Sequence, residues 1–152
     1  MRISAKVDYA VRAAIELAGA GEDQLTKADA IAHAQDIPPK FLENILGDLR
    51  QGGLVRSQRG AEGGYRLARP AEEITLADII RVVEGPMASV RGGRPEDVEY
   101  AGSAEPLRRV WIAVRSALRQ VAEHVTLADL ASGRLPRDVE ALTRARDAWI
   151  TR

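Results

Sequence analysis

Residues 26 to 68 read TKADAIAHAQDIPPKFLENILGDLRQGGLVRSQRGAEGGYRLA, and the period of their apolar residues decides the fold. Ala28, Ile31 and Ala32 recur at helical spacing, and so do Phe41, Leu42, Ile45, Leu46 and Leu49. Between the two runs stands IPP, with Ile37 packing a turn and Pro38-Pro39 opening the next helix. Proline suits a first helical turn because its missing N–H would have had no partner there. Gly52-Gly53 stops that helix. The period then changes to two: Leu54-Val55-Arg56-Ser57 reads as a strand, Gln58 to Gly64 as a loop, and Tyr65-Arg66-Leu67 as the returning strand. Helix, turn, helix and glycine-tipped hairpin, in that order, place one helix to enter a nucleic-acid groove with the hairpin beside it.

Outward from this stretch the chain stays helical. Ser4 caps a first helix whose stripe is Val7, Val11, Ala14, Ile15 and Ala18, closed by Gly19-Ala20-Gly21. Arg2 and Lys6 sit at its start, where they either touch phosphate or are simply solvated. Thr26 is expected to cap the second helix, with Asp29 completing a capping box, and that helix should end near Gln35. Pro70 closes the hairpin unit. Thr75-Leu76-Ala77-Asp78 opens a fourth helix with apolar Leu76, Ile79, Ile80 and Val83, stopped by Gly85-Pro86. The segment Pro86 to Pro106 reads as a loop, long enough to be either mobile or functional. A long helix follows over about Leu107 to His124. Leu107, Val110, Val114, Leu118, Val121 and Val125 step along one seam with Trp111 beside it, and Arg108, Arg115 and Arg119 lie opposite. Such a seam suits a helical contact between two subunits, although packing within one subunit would also produce it. Thr126-Leu127-Ala128-Asp129 repeats the TLAD of residues 75–78 as a second cap, not a duplicated domain, and a tail helix is expected from Pro136 to about Trp149.

The expected fold is therefore mainly α with a small two-stranded β wing. A winged helix-turn-helix DNA-binding domain occupies 1–85, a loop 86–106, and a helical dimerisation region 107–152.

Composition narrows the function classes. The 152 residues are 45% hydrophobic and 29% charged, as in a globular domain able to bury its own core. No window reaches the roughly 18 apolar residues of a membrane span, so the expectation is a cytoplasmic protein without a membrane partner. There is no cysteine, which removes disulfides, thiolate catalysis and Cys-ligated metals. The net charge is zero, yet residues 50–69 hold Arg50, Arg56, Arg59, Arg66 and Arg69 against Glu62 alone, a local charge of +4. That suits a surface facing phosphate. An enzyme is not expected: His33 and His124 are the only histidines, and no nucleophile elbow, phosphate loop or metalloprotease spacing surrounds them.

Candidate recognition residues follow from the helical phase. Leu42, Ile45, Leu46 and Leu49 take the inner side of the third helix, which leaves Pro39, Lys40, Glu43, Asn44 and Gly47 facing out. Lys40 suits phosphate or guanine, Asn44 adenine, and Glu43 the cytosine amino group, while Phe41 is either a core anchor or, as the favoured reading, a partly exposed ring over a thymine methyl. At the wing, Gln58, Arg59, Gly60, Gly63, Gly64 and Tyr65 suit minor-groove entry, since a narrow minor groove attracts a cation such as Arg59 and glycine N–H groups can reach phosphate. The alternative is a winged helix that docks protein and no DNA. Lys40, Asn44 and Arg59 with three glycines favour phosphate and bases over an apolar protein patch.

The same residues carry a resemblance. GLVRSQRGAEGGYRLARP followed by ITLADIIRVVEG, with MRISAKVDYAVRA at the start, resembles the Rrf-two family of bacterial winged-helix regulators. The similarity runs from Met1 to about Gly85 and weakly on to Thr126. It implies a homodimer held by the long C-terminal helix through Leu107, Val110, Trp111, Val114, Leu118 and Val121, bound to a pseudo-palindromic operator in double-stranded DNA, most simply as a repressor. It implies base contacts from Lys40, Phe41, Glu43 and Asn44 and minor-groove contacts around Arg59, Gly60 and Gly64. Cluster-bearing members of that family place three cysteines between the fourth helix and the long one, and this chain has none. Asp8 and His33 stand where some members add a non-cysteine ligand. Without thiolates they are read as a helix-start carboxylate and a partly buried histidine, so no metal and no cofactor is expected. An effector, small molecule or protein, is left unassigned.

Overall fold

The computed structural model describes residues 2–151; Met1, where the resemblance begins, and Arg152, the last residue of the expected dimerisation region, lie outside the described residues. Among the described residues seven α-helices and one hairpin follow in the order α1 (Ala5–Ala20), α2 (Ala28–Gln35), α3 (Pro39–Gln51), β1 (Val55–Gln58), β2 (Gly64–Leu67), α4 (Leu76–Glu84), α5 (Leu107–Ala122), α6 (Leu127–Ser132) and α7 (Arg137–Thr143). This is the mainly helical winged fold that the sequence predicted.

α1 is the hub. Its Ser4 cap accepts the Val7 N–H at 3.1 Å, and it packs on α2, α3, α4, α6 and β2. That many neighbours need close approach, so its buried face is Val7, Ala10, Ala13, Ala14 and Leu17. Val11, Ile15 and Ala18, expected in the stripe, are only half buried. The alanines let Leu42, Ile45, Leu46 and Leu49 of α3 and Ile79 of α4 come in against the helix, all fully enclosed. Truncating any of these leucines to alanine would cost about 2–5 kcal/mol.

Thr26 does not cap α2. The cap position is Lys27, which makes no side-chain cap bond. Thr26 instead exchanges two backbone bonds with Tyr65, each 2.8 Å, and so lies beside β2 as a one-residue third strand. Two strong backbone bonds fix Thr26 against the sheet, and the expected box with Asp29 does not form. α2 still ends at Gln35, on Asp36 in the left-handed region at φ 50°. α3 starts with Pro39 in its first turn. β1 and β2 pair antiparallel in the register Val55↔Leu67, Arg56↔Arg66, Ser57↔Tyr65, Gln58↔Gly64.

Both TLAD segments form reciprocal capping boxes: Thr75 with Asp78, and Thr126 with Asp129. The second returns the chain to the winged unit, because Leu127 is fully buried in its core. The segment 86–106 is docked. It makes two short 3-10 turns, Pro95–Asp97 and Gly102–Ala104, and buries Pro95 and Val98. Arg94 and Arg115 both bond the Glu96 carboxylate, and the Trp111 indole donates to the Tyr100 hydroxyl at 3.1 Å. α7 ends at Thr143, short of Trp149. The chain beyond it turns back so that the Trp149 indole donates to the Thr143 carbonyl at 2.6 Å. No helix among the described residues is long and apolar enough to cross a membrane.

Candidate nucleic-acid interface

The first turns of α3 project from the body. Leu42, Ile45 and Leu46 are fully enclosed, whereas Pro39, Lys40, Glu43 and Asn44 are exposed and Phe41 is 49% exposed. A 3.6-residue period with an apolar side turned inward leaves these positions to solvent. Gly47 is half buried. Phe41 is not loose: its ring meets that of Tyr9 on α1 edge to face, centroids 5.9 Å apart.

The wing rises next to the start of α2. Gln58, Arg59 and Gly60 are exposed at its tip, Gly64 and Tyr65 are half buried, and Gly63 is buried. Two glycines are demanded by crowding. A Cβ on Gly63 would sit 2.1 Å from the Gln58 carbonyl oxygen, and one on Gly64 would sit 2.8 Å from the Thr26 carbonyl oxygen. The Gly63 N–H already donates to the Gly60 carbonyl at 3.0 Å. The expectation that it reaches phosphate is therefore corrected: that group closes the turn. Gly60, at φ 106° in open space, keeps its backbone at the surface.

Between tip and body lies an open cleft of about 360 Å³ lined by Lys27, Arg50, Ser57, Arg59, Gly60 and Tyr65 among others. Lys27 was not singled out from the sequence. Its signal is the Thr26–Tyr65 pairing, which carries the start of α2 to the wing and leaves Lys27 exposed there. Arg50 reaches across from α3, its Nη1 donating to Ser57 Oγ at 3.3 Å. Two cations from the body and one from the tip thus border one concave surface, an arrangement that raises local anion concentration. Lys6, in contrast, has its ammonium 2.7 Å from Asp48 and serves to tie α1 to α3.

The residues at the places of non-cysteine ligands do not fit an iron centre. Asp8 is 3.0 Å from the Arg12 guanidinium, and His33 is exposed where the sequence suggested partial burial. Among the described residues no cluster of three metal-ligating side chains occurs, and the chain has no thiolate to offer.

α5 contributes a second surface. Of its sixteen residues only Ala122 is buried. Leu107, Val114, Leu118 and Val121 are half buried, Val110 is 50% exposed and Val125 is buried, so the apolar seam is left partly uncovered by its own chain. Trp111, expected in the same seam, is half buried and bonded to Tyr100.

Comparison with known proteins agrees with this geometry. The family model Rrf2, described as an iron-dependent transcriptional regulator, matches residues 3–133. A provisionally named HTH-type transcriptional regulator of Mycobacterium tuberculosis, Rv1287, is 51% identical over 93% of this chain and 88% of its own length. CymR of Bacillus subtilis, an HTH-type transcriptional regulator, is 40% identical over 87% of this chain and 91% of its own. The solved structure of CymR, the global cysteine regulator of B. subtilis, superposes with a TM-score of 0.74 at 39% identity, covering 88% of this chain and 98% of that one. A family model spanning most of the chain, relatives of this identity and a matching solved fold have one reading: the chain belongs to the Rrf2 (Rrf-two) family, whose members are DNA-binding transcriptional regulators and not enzymes.

Proposed function

We propose that this protein binds a pseudo-palindromic operator as a homodimer and represses transcription there without an iron–sulfur cluster. In each subunit the first turns of α3 enter a major groove, with Lys40, Glu43 and Asn44 at base edges and Pro39 and Phe41 beside them. The wing lies over the flanking minor groove, with Arg59 inserted and Gln58, Gly60, Gly63, Gly64 and Tyr65 shaping the tip that carries it. Lys27 and Arg50 hold the phosphates between the two.

The observation that supports this best is the coincidence of an exposed polar helical turn with a cation-lined cleft on the neighbouring hairpin. A protein-docking face would present a broader apolar centre than Phe41 and Pro39 provide among these polar side chains. Support for the dimer is the uncovered seam of α5, where Val110 is half exposed. A two-fold axis through that seam would pair two α3 helices on successive turns of one face of a duplex. Repression needs only occupancy of a promoter by such a dimer, whereas activation needs a polymerase contact in addition.

Selection from a random duplex library, followed by titration and sedimentation of the winning duplex, tests the reading. The expected result is an inverted repeat bound by two chains, with affinity falling steeply as salt rises because phosphate contacts release counterions. Equal, weak binding to every duplex would overturn it and return the winged unit to a protein-docking role.

A further inference from the structure

The exposed ring of Phe41 is held from behind by a chain of contacts running from α1 to the end of α2. Phe41 is the only phenylalanine in the protein and is 49% exposed. A single exposed apolar side chain is ordinary by itself. This one, however, is fixed. The Tyr9 ring meets it at 5.9 Å with 78° between the planes. Over the Tyr9 ring lies the Arg12 guanidinium, 4.9 Å from its centroid. Arg12 is fixed in turn: its Nη1 donates to the Gln35 carbonyl at 2.7 Å, and its Nε lies 3.0 Å from Asp8. The Gln35 amide also bonds Glu16 of α1. One stack thus joins α1, the end of α2 and the first turn of α3.

We infer that the Arg12–Tyr9–Phe41 stack is a preformed reader of a pyrimidine 5-methyl group, with Phe41 making the contact and Tyr9 acting as its positioning residue. The inference rests on the operator-binding reading and adds a base preference to it. In the major groove the 5-methyl of thymine is the one apolar feature that distinguishes a base edge. Lys40, Glu43 and Asn44 around Phe41 are all polar and exposed, so Phe41 is the aromatic side chain of this turn that can cover that methyl, with only the short ring of Pro39 beside it. A ring already ordered before binding loses little rotamer freedom on contact, which is where preorganisation gains affinity. Arg12 and Tyr9 supply that order from outside the recognition helix, at positions a base-contact search of α3 would pass over.

The test uses the full chain and the tightest duplex from the random library, resynthesised with each thymine in turn replaced by uracil, which lacks only the 5-methyl. At one position in each half-site uracil should weaken binding about fourfold, the worth of one buried methyl. Phe41→Ala should bring the thymine-to-uracil ratio at that position to about one. Tyr9→Leu should lower the same ratio while Tyr9→Phe keeps it, and the ratio, unlike affinity, is indifferent to a general loss of stability. If Tyr9→Leu does not fold, Arg12→Met takes its place, removing the cation and the Gln35 bond, and should also lower the ratio. Uracil tolerated at every position, or a ratio unchanged in Phe41→Ala, overturns the inference while leaving DNA binding intact. An unchanged ratio in folded Tyr9→Leu overturns the positioning role. Failure to enrich any duplex overturns the operator-binding reading itself.

Discussion

Thr75 and Thr126 face each other across an isolated antiparallel bridge, each capping its own helix. The Leu76 N–H donates to the Val125 carbonyl and the Leu127 N–H to the Ile74 carbonyl, both at 2.9 Å. The repeated TLAD is thus more than a recurring cap: the two copies are bonded side by side, and their bridge seats α6 in the core through buried Leu127. Each hydroxyl bonds the N–H three residues on at 3.1 Å. Thr75→Ala or Thr126→Ala should each cost about 1 kcal/mol in urea unfolding, the usual worth of an N-cap. Because the caps share one bridge, the double variant should depart from additivity by more than about 0.5 kcal/mol. Strict additivity would show the caps to be independent.

At the wing, Gly63→Ala should cost about 1–3 kcal/mol, since its methyl would overlap the Gln58 carbonyl. Operator affinity should fall with it, because the displaced turn carries Arg59. Thermal melting and a titration against the selected duplex check both; a variant of unchanged melting and affinity would mean that the turn opens without consequence.

Arg59→Ala leaves the fold alone, as the side chain is exposed. It should weaken operator binding and lower the salt-dependence slope by about one, the loss expected of a single phosphate-facing cation. The loss should depend on minor-groove width at the contacted step, so A-tract and G·C-rich flanks should give different losses. Identical losses on both would remove Arg59 from the groove.

Val114→Glu with Leu118→Glu places two carboxylates in the uncovered seam of α5. Sedimentation should then report a monomer, and tight operator binding should fall to the level of a single half-site. A double variant that still sediments as a dimer would put the subunit contact elsewhere on the chain.

Acid should release segment 86–106 before it unfolds the core. Bonds from its own backbone N–H, then from Arg94 and Arg115, hold the Glu96 carboxyl down at about 2, below its ordinary 4.5. A carboxyl lowered in the folded state stabilises fully above the ordinary value, and that contribution is lost as pH falls from about 4.5 through about 2. Trp111 reports on the segment through its bond to Tyr100. In a Trp149→Phe background its fluorescence should stay constant from pH 7 to 5 and change below about 4.5. Glu96→Gln should remove the part of that change due to Glu96; a profile identical in both proteins would show that Glu96 does not hold the segment.

Much of this molecule is determined by neighbours within four residues. The Ser4, Thr75 and Thr126 caps, Pro39 at the head of α3, the glycine stops and the inward phase of Leu42, Ile45, Leu46 and Leu49 all follow from local bonds and helical period, and these were legible in the sequence. So were the exposure of Lys40, Glu43 and Asn44 and the hairpin itself. What only the tertiary structure decided concerns groups with two suitors. Thr26 could cap α2 or pair with Tyr65, and 38 intervening residues had to fold before the second choice existed. Gly63 and Gly64 look like a flexible tip until backbone from residues 58 and 26 is brought against them. The pairing of the TLAD caps, the docking of segment 86–106 on α5 and the Tyr9 ring beneath Phe41 likewise join residues distant in sequence. A side chain's partner is fixed by whichever bond the assembled fold brings closest, and spacing along the chain carries no record of that competition.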